Sequence, residues 1–435
     1  MRFLSAILPL ALVAGAAALK QIYFPGSDEF EAATTRWSVL ESPTVNIVVV
    51  PETEDDVVKT VKFTKKKNLP FLVYNGLHGA ITTLGQMDHG IEISLRKLNS
   101  IEIAHNGQSA TIGGGTISKK VTDTLWAAGK QTVTGTCDCV SYLGPALGGH
   151  GWLQGHHGFV ADHFVSARVV LADGMLKKID ADSDPDLWWA IGGAGHNFGI
   201  VTSVTTKVYD IEHCDWAIET LIFSGDKVEA VYEAANKHLL KNGTQSADLI
   251  NWSYWLNIPD VDPINPVILF YIIQQGVTAI HPAYTSDFHA IGPLFIEPIA
   301  GTYTDLARWT GITTSSPPCR RLDSSIPGSR STCTIGGSSA FNASLFTLES
   351  YPTQGVRNKG SRSSAFAFRD RPLLTAPLIT YVPAGKERDA EAAQLGNELR
   401  QVLHEASGLE EFGAYVNYAC GNESPEQWYG SEEWR

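Results

Sequence analysis

The sequence predicts an α+β protein in two parts, and three observations carry that expectation. A strand–helix–strand pattern opens the N-terminal half, glycine-dense loops separate the short strands and hairpins that follow, and from about residue 214 glycine thins out while aromatic-rich strands alternate with helical stretches. The chain has 435 residues, and at roughly 150 residues per domain it has room for two or three domains. Its 43% hydrophobic and 18% charged residues, with 40 glycines, describe a globular, loop-rich protein rather than a coiled coil or a disordered tail. A net charge of -13 opposes binding to nucleic acid. The short basic run Lys65–Lys67 reads as a solvated helix end.

The elements follow in order. Residues 1–18 carry Arg2, an apolar middle and a closing Ala16-Ala17-Ala18, the pattern of a secretory signal peptide. No later run reaches membrane-spanning length: the most apolar, residues 266–273, is strand-sized. Four N-x-S/T sequons, at Asn242, Asn251, Asn342 and Asn422, suit a secreted glycoprotein. Residues 45–50 (VNIVVV) form a strand stopped by Pro51, Thr53-Glu54-Asp55-Asp56 caps a helix, and residues 71–74 make the second strand. The loop Asn75-Gly76-Leu77-His78-Gly79 is the first place where backbone can approach a ligand closely. Residues 90–98 and 101–112 read as strands, with a hairpin turn at Asn106-Gly107, and residues 118–128 as a helix stopped by Gly129. A hairpin around Asp173-Gly174, a short helix at 186–191 and a strand at 198–209 complete this half. In the second half, 216–223, 249–256 and 267–273 read as strands and 226–240 as a helix. The Ser/Arg/Gly-rich stretch 315–339 reads as a mobile loop, and 373–381 (strand), 387–405 (helix) and 412–418 (last strand) follow.

Six cysteines are too few for a disulfide framework, although Cys319 and Cys333 flank a loop they could close. Cys137-Asp138-Cys139 lacks the second Cys/His pair that zinc needs, and no metal is expected. Three glycine clusters, at 113–115, 148–151 and 192–199, lack the spacing of a Rossmann nucleotide site, yet such loops can hold a pyrophosphate through backbone N–H groups.

The tract from Cys137 through Val140, Gly144, Gly148, Gly149 and His150 to Gly151, followed by Gly158-Phe159-Val160-Ala161-Asp162 and by Leu187 to Thr202, resembles the vanillyl-alcohol oxidase superfamily. Within it, the chain is most similar to the berberine-bridge-enzyme group and its secreted fungal FAD-linked oxidoreductases. The resemblance implies a two-subdomain FAD-binding domain of the PCMH type at 40–213, a separate substrate domain at 214–383 built on an antiparallel sheet flanked by helices, and a C-terminal segment at 384–435 that returns to the FAD domain. It implies flavin bonded covalently to His78 at the 8α-methyl and to Cys137 at C6, both groups being nucleophiles able to add to an oxidised flavin. Cys139 is the rival thiol and fits the spacing to Val140 less well. Asn75, Gly76, Gly79, Val140, Gly144, Gly148, Gly149, Asp162, Gly199 and Val201 fall where the family contacts the cofactor. His150, His156 and His157 match no required position and read as loop or core histidines. For proton removal, the motif Tyr415-Val416-Asn417-Tyr418 assigns Tyr415 and Asn417, while Glu349 does not align with the glutamate base of the plant enzymes.

Two departures stand out. Tyr74-Asn75-Gly76-Leu77-His78 replaces the family's Arg-Ser-Gly-Gly-His, and the family continues past the motif that ends here at Arg435. The expected function is oxidation of an alcohol, amine, phenol, sugar or secondary metabolite, with or without cyclisation, the flavin being reoxidised by O2 to give H2O2. The alternative is an idle flavin-carrying glycoprotein.

Overall fold

The computed structural model describes residues 21–76, 79–146, 149–313, 329–330, 339–360 and 363–431. The expected signal segment, the Cys319–Cys333 loop, His78 and Gly148 therefore lie outside the described residues.

The N-terminal half is built on two sheets. In the first, β1 (Ile22–Tyr23), β2 (Val45–Val49), β3 (Phe71–Tyr74) and β4 (Gly90–Ser94) stand in the order β1-β2-β4-β3, with β4 parallel to both β2 and β3. The crossover between β2 and β3 is helix α1 (Glu54–Lys67). Its Thr53–Asp56 capping box satisfies the first orphan N–H groups, and it ends on Asn68 in the left-handed conformation. Val57 and Val61 bury its inner face against Ile47, Val49, Ile91 and Ile93. The second sheet is antiparallel, in the order β5-β6-β10-β8-β9: β5 (Ile101–Ile103), β6 (Ser109–Gly113), β7 (Lys130–Gln131) pairing elsewhere, β8 (Phe164–Val170), β9 (Leu176–Ile179) and β10 (Ile200–Lys207). Helix α2 (Ser118–Ala127) follows β6, and helix α3 (Pro185–Ala194) precedes β10.

The second half forms one seven-stranded antiparallel sheet, in the order β15-β12-β14-β13-β17-β18-β16. Its long members are β12 (Asp215–Ser224), β13 (Leu249–Leu256), β14 (Val267–Gln275), β15 (Phe295–Thr302), β17 (Leu345–Ser350) and β18 (Leu373–Thr380); β11 (Tyr209–Asp210) pairs with β7, and β16 is Ser329–Arg330. Alternation splits its side chains between two cores. Leu221, Phe223, Ile268, Phe270 and Ile272 pack on α4 (Val228–Ala234) and α5 (Pro282–Ile291), while Trp216, Ile218, Trp252, Tyr271 and Ile273 face the N-terminal half. There Trp152 stacks on Trp252, with centroids 4.5 Å apart and planes at 25°, a contact worth about 0.5–1.5 kcal/mol beyond its buried area.

The α+β expectation and its long elements match these observations, and the differences have physical reasons. β15 and β17 escaped the sequence reading. β15 is an exposed edge strand that carries Pro298, which sequence patterns place outside strands, and β17 turns Thr347 and Glu349 toward a buried face, reversing the usual polarity. The helix expected over 226–240 stops at Ala234 and continues as a wider π-turn. The strand expected over 412–418 is absent. Residues Val416–Tyr418 make a 3₁₀ turn in which Tyr418 N donates to Tyr415 O at 2.8 Å, and Ala414 N is used by Gln427 O rather than by a sheet edge. After α6 (Lys386–Ser407), this segment folds back with helix α7 (Pro425–Tyr429) onto the N-terminal half, where Tyr429 meets His196 and Asn197 at 2.9 and 2.8 Å.

Candidate active site

Three loops at the ends of β3, β6 and the 137–146 tract converge, and glycine permits the contact. Gly114 N donates to Thr202 O at 2.7 Å, and a Cβ on Gly114 would stand 2.5 Å from Val201 O, where β10 carries a bulge. A Cβ on Gly76 would stand 3.0 Å from Ser141 N. Asn75 ties the three together: its amide donates to Gly114 O at 2.5 Å and to Ser141 Oγ at 2.6 Å. Helix α2 begins without a side-chain cap, and its orphan N–H groups go to the tract instead, Ser118 N to Val140 O at 2.9 Å and Lys119 N to Asp138 O at 3.0 Å. That anchorage fixes residues 137–140 in front of the loops.

These residues fit FAD. The hydroxyls of Ser94 at the end of β4, Thr116 after β6 and Ser118 at the start of α2 are buried without a hydrogen-bond partner among the described residues, and side chains added at Gly79 or Gly144 would meet only open space. Neutral hydroxyls and backbone N–H groups are the donor set a pyrophosphate-bearing dinucleotide uses where no lysine is supplied. Among the described residues, no group of three or more His, Cys, Asp or Glu is placed to hold a metal.

Opposite the loops lies one buried carboxyl group, Glu349, ringed by tyrosines. Tyr415 OH accepts from Asn417 Nδ2 at 2.8 Å and from the backbone N–H of His150. Gly149 makes this approach possible, because a Cβ there would collide with Tyr415 OH. Glu349, 4% exposed on β17, accepts from Tyr418 OH at 2.9 Å and Tyr351 OH at 2.8 Å. Its neighbour across the ladder is Trp252, so it points to the face that meets the N-terminal half. Burial pushes the Glu349 carboxyl above its ordinary range against the pull of its hydrogen bonds. Burial, joined by the Glu349 charge, also raises Tyr254, Tyr351, Tyr415 and Tyr418. His150 stacks on Tyr351 with centroids 5.0 Å apart, shares a 2.8 Å hydrogen bond with Gln154 through Nδ1, and is held down to about 4 by burial, hence neutral.

Cys137 keeps a thiol, pushed up to about 12 by burial, with Asp138 and Glu349 adding to the shift, and donates to Ile312 O at 3.6 Å. Cys139 is held in a disulfide, which removes it as a rival attachment point.

The structure thus gathers Asn75, Gly76, Val140, Gly149, Val201, Cys137, Tyr415 and Asn417, but not every expected residue. Asp162, expected at the cofactor, accepts from Arg369 Nη2 with both oxygens, at 2.7 and 2.8 Å, and from Phe159 N, so these contacts occupy its carboxylate. Gly199 serves packing, since a Cβ there would press on Val169 and on Val170 O at 2.7 and 2.8 Å. Asn251 is corrected too. It is 5% exposed in the middle of β13, where an N-glycan has no room, while Asn242, Asn342 and Asn422 are exposed. Sequence reasoning passed over Glu349, Tyr351 and Tyr418 as site residues. The spacing of Tyr418 three residues beyond Tyr415 was the available signal.

Comparison with known proteins completes the picture. Residues 45–180 match the FAD binding domain family. The chain is 61% identical over 431 residues to the FAD-linked oxidoreductase chyH of Penicillium rubens, covering 95% of this chain and 86% of that protein. It is 51% identical over 445 residues to the FAD-linked oxidoreductase chry5 of Gibberella zeae, covering 95% and 88%. Its fold matches Physcomitrella patens BBE-like 1 with a TM-score of 0.79 and 20% identity over 97% of this chain and 94% of that one. Glycine loops suited to a dinucleotide, a buried carboxyl ringed by tyrosines facing them and identity sustained along the chain converge, and the chain belongs to the FAD-linked oxidoreductases.

Proposed function

We propose that the chain is an oxidase acting on a small molecule that carries an alcohol, amine or phenol group, a sugar or secondary metabolite included, with O2 as the final acceptor and H2O2 as product. Ring closure of the oxidised product is a sub-case. The observation that carries this reading is Tyr415 OH, held by two donors beside the Glu349 cluster and facing the glycine loops. FAD, when bound, supplies the hydride acceptor. Tyr415 as its phenolate, held by the Asn417 amide and the His150 N–H, takes the substrate O–H or N–H proton and becomes the neutral phenol. Glu349 keeps that phenolate basic through its charge, and the packed aromatic wall of Tyr254, Trp252 and Tyr351 excludes water. His78 and Cys137 tether the cofactor, and residues 1–18 direct the chain to secretion; the disulfide at Cys139 supports an oxidising compartment.

The test is anaerobic mixing of the purified protein with a panel of alcohols, amines, phenols and sugars, read as bleaching of the flavin absorbance, with H2O2 scored on return to air. Tyr415→Phe is expected to slow bleaching by about 10²–10⁴-fold with flavin content unchanged. A Tyr415→Phe protein that bleaches at the parent rate removes Tyr415 from this role.

A further inference from the structure

The sheet face that turns toward the N-terminal half is built in rungs, because residues paired across antiparallel strands point the same way. One rung is Thr220, Tyr271, Trp252 and Glu349, on β12, β14, β13 and β17. The next, about 7 Å along the strands, is Ile222, Leu269, Tyr254 and Thr347, and the one after it joins Leu256, Leu345 and Leu378. Neither outer rung carries a charged side chain. Ile222, Leu256, Leu345 and Leu378 are half-buried, yet they belong to none of the packed cores among the described residues. A solvated sheet face would be polar and a packed one would be covered, so these rungs form an apolar shelf of neither kind.

The shelf is continuous with the site. Tyr254 and Tyr271 meet edge to face with centroids 6.1 Å apart at the step between the rungs, and neither hydroxyl has a hydrogen-bond partner among the described residues, although Tyr271 is only 6% exposed. Tyr254 also lies near enough to Cys137 and Glu349 for both to oppose its ionisation. We infer that the shelf seats the body of the substrate, and that the substrate is an alcohol or amine on an aryl or alkyl frame rather than a sugar or a carboxylate.

The reacting group lies at the Glu349 end, the frame runs over Leu269 and Ile222 toward Leu345, and the two free phenols serve a polar atom at the junction. A sugar would press hydroxyls against side chains that offer them no partner. An anion would meet the Glu349 carboxyl with no cation on these rungs to offset it. The assignment of an oxidisable alcohol or amine rests on the oxidase reading above; the apolar seat does not.

Straight-chain primary amides from acetamide to hexanamide carry no alcohol or amine to oxidise, so calorimetry of the full-length protein with FAD added reads their binding alone. Affinity is expected to rise about fourfold per methylene. Hexanoate should bind at least about tenfold more weakly than hexanamide, and glucose and maltose should give no binding heat. Leu345→Ser, and independently Ile222→Ala on another strand, should flatten the increments of the longer amides while leaving acetamide unchanged. Val402→Ser, at a position 59% exposed on α6, should alter none of them. Affinity that does not grow with chain length overturns the shelf, as do sugars that bind more tightly than the amides, or increments that survive in both Leu345→Ser and Ile222→Ala. Alcohols and amines of the same lengths are then mixed anaerobically with the protein, and flavin bleaching in the same rank order supports the substrate class. Graded binding with no bleaching by any of them removes the oxidase reading and the substrate assignment with it, leaving the seat; bleaching by sugars alone keeps the oxidase reading and overturns the class.

Discussion

Burial raises the tyrosines and the thiol gathered around one carboxyl group, Glu349, and its charge adds to the shift. Its charge opposes ionisation of Tyr351, Tyr415, Tyr418 and the Cys137 thiol, so replacing it with the isosteric amide should lower all four together. In Glu349→Gln the pH at which bleaching reaches its plateau is expected to fall by about 1 unit or more, because a phenolate without an anionic neighbour forms at lower pH. Measuring the bleaching rate across pH decides the point: a limb that stays in place would show that Glu349 does not act on the proton acceptor. Tyr415, Asn417 and Asn75 were legible in the sequence because they sit in contiguous motifs. Glu349 was not, because whether a strand residue faces a ligand or a helix depends on register, and the pairing of Glu349 with Trp252 exists only in the assembled sheet.

Among the elements, the contact to test is the one between the 159–163 turn and the segment after residue 363. Asp162 and Arg369 are each 3% exposed, separated by 207 positions, and Arg369 lies over the Phe159 ring at 4.9 Å. Removing one member of such a pair strands a buried charge, so Arg369→Ala should cost about 3–5 kcal/mol in denaturant unfolding, while Asp162→Leu combined with Arg369→Met should recover much of that loss. Equal stability of Arg369→Ala and parent would mean that water already reaches the carboxylate. Asp162 also marks what sequence cannot give. Its glycine-rich neighbourhood resembles a cofactor loop, and only the distant arginine reveals where its charge is spent. Similarly, the strand expected at 412–418 failed, since the turn is set by Gln427 and Gly149, which pattern alone does not connect to it.

Among the described residues, His150 and His163 are buried and His157 is half-buried, and burial holds all three rings neutral. His150 and His157 titrate near about 4 and His163 near about 3, each lowered by burial from 6.5, and His163 shares a 2.7 Å hydrogen bond with Tyr209. A depressed folded value means that the unfolded chain takes up protons first. Stability is therefore present in full above about pH 6.5 and is lost as pH falls toward about 4, by roughly 1.4 kcal/mol per histidine per unit. Thermal melts stepped through that interval should show the midpoint falling steadily, and a flat profile would place these rings in water. Glu349, raised rather than lowered, works in the opposite sense and weakens the fold as pH rises. The α+β layout was legible because its long strands and helices carry their own periodicity. The meeting of the two halves was not, because it depends on one face of a seven-stranded sheet against loops that carry no period.

Tyr415 reaches the site from the far end of the chain, while the loops it faces lie before residue 150. Translation delivers these parts in that order. A nascent chain owns its dinucleotide cradle well before it owns its proton acceptor, so assembly runs from holding toward reacting, and the growing polypeptide passes through a stage at which a bound oxidant would meet no base.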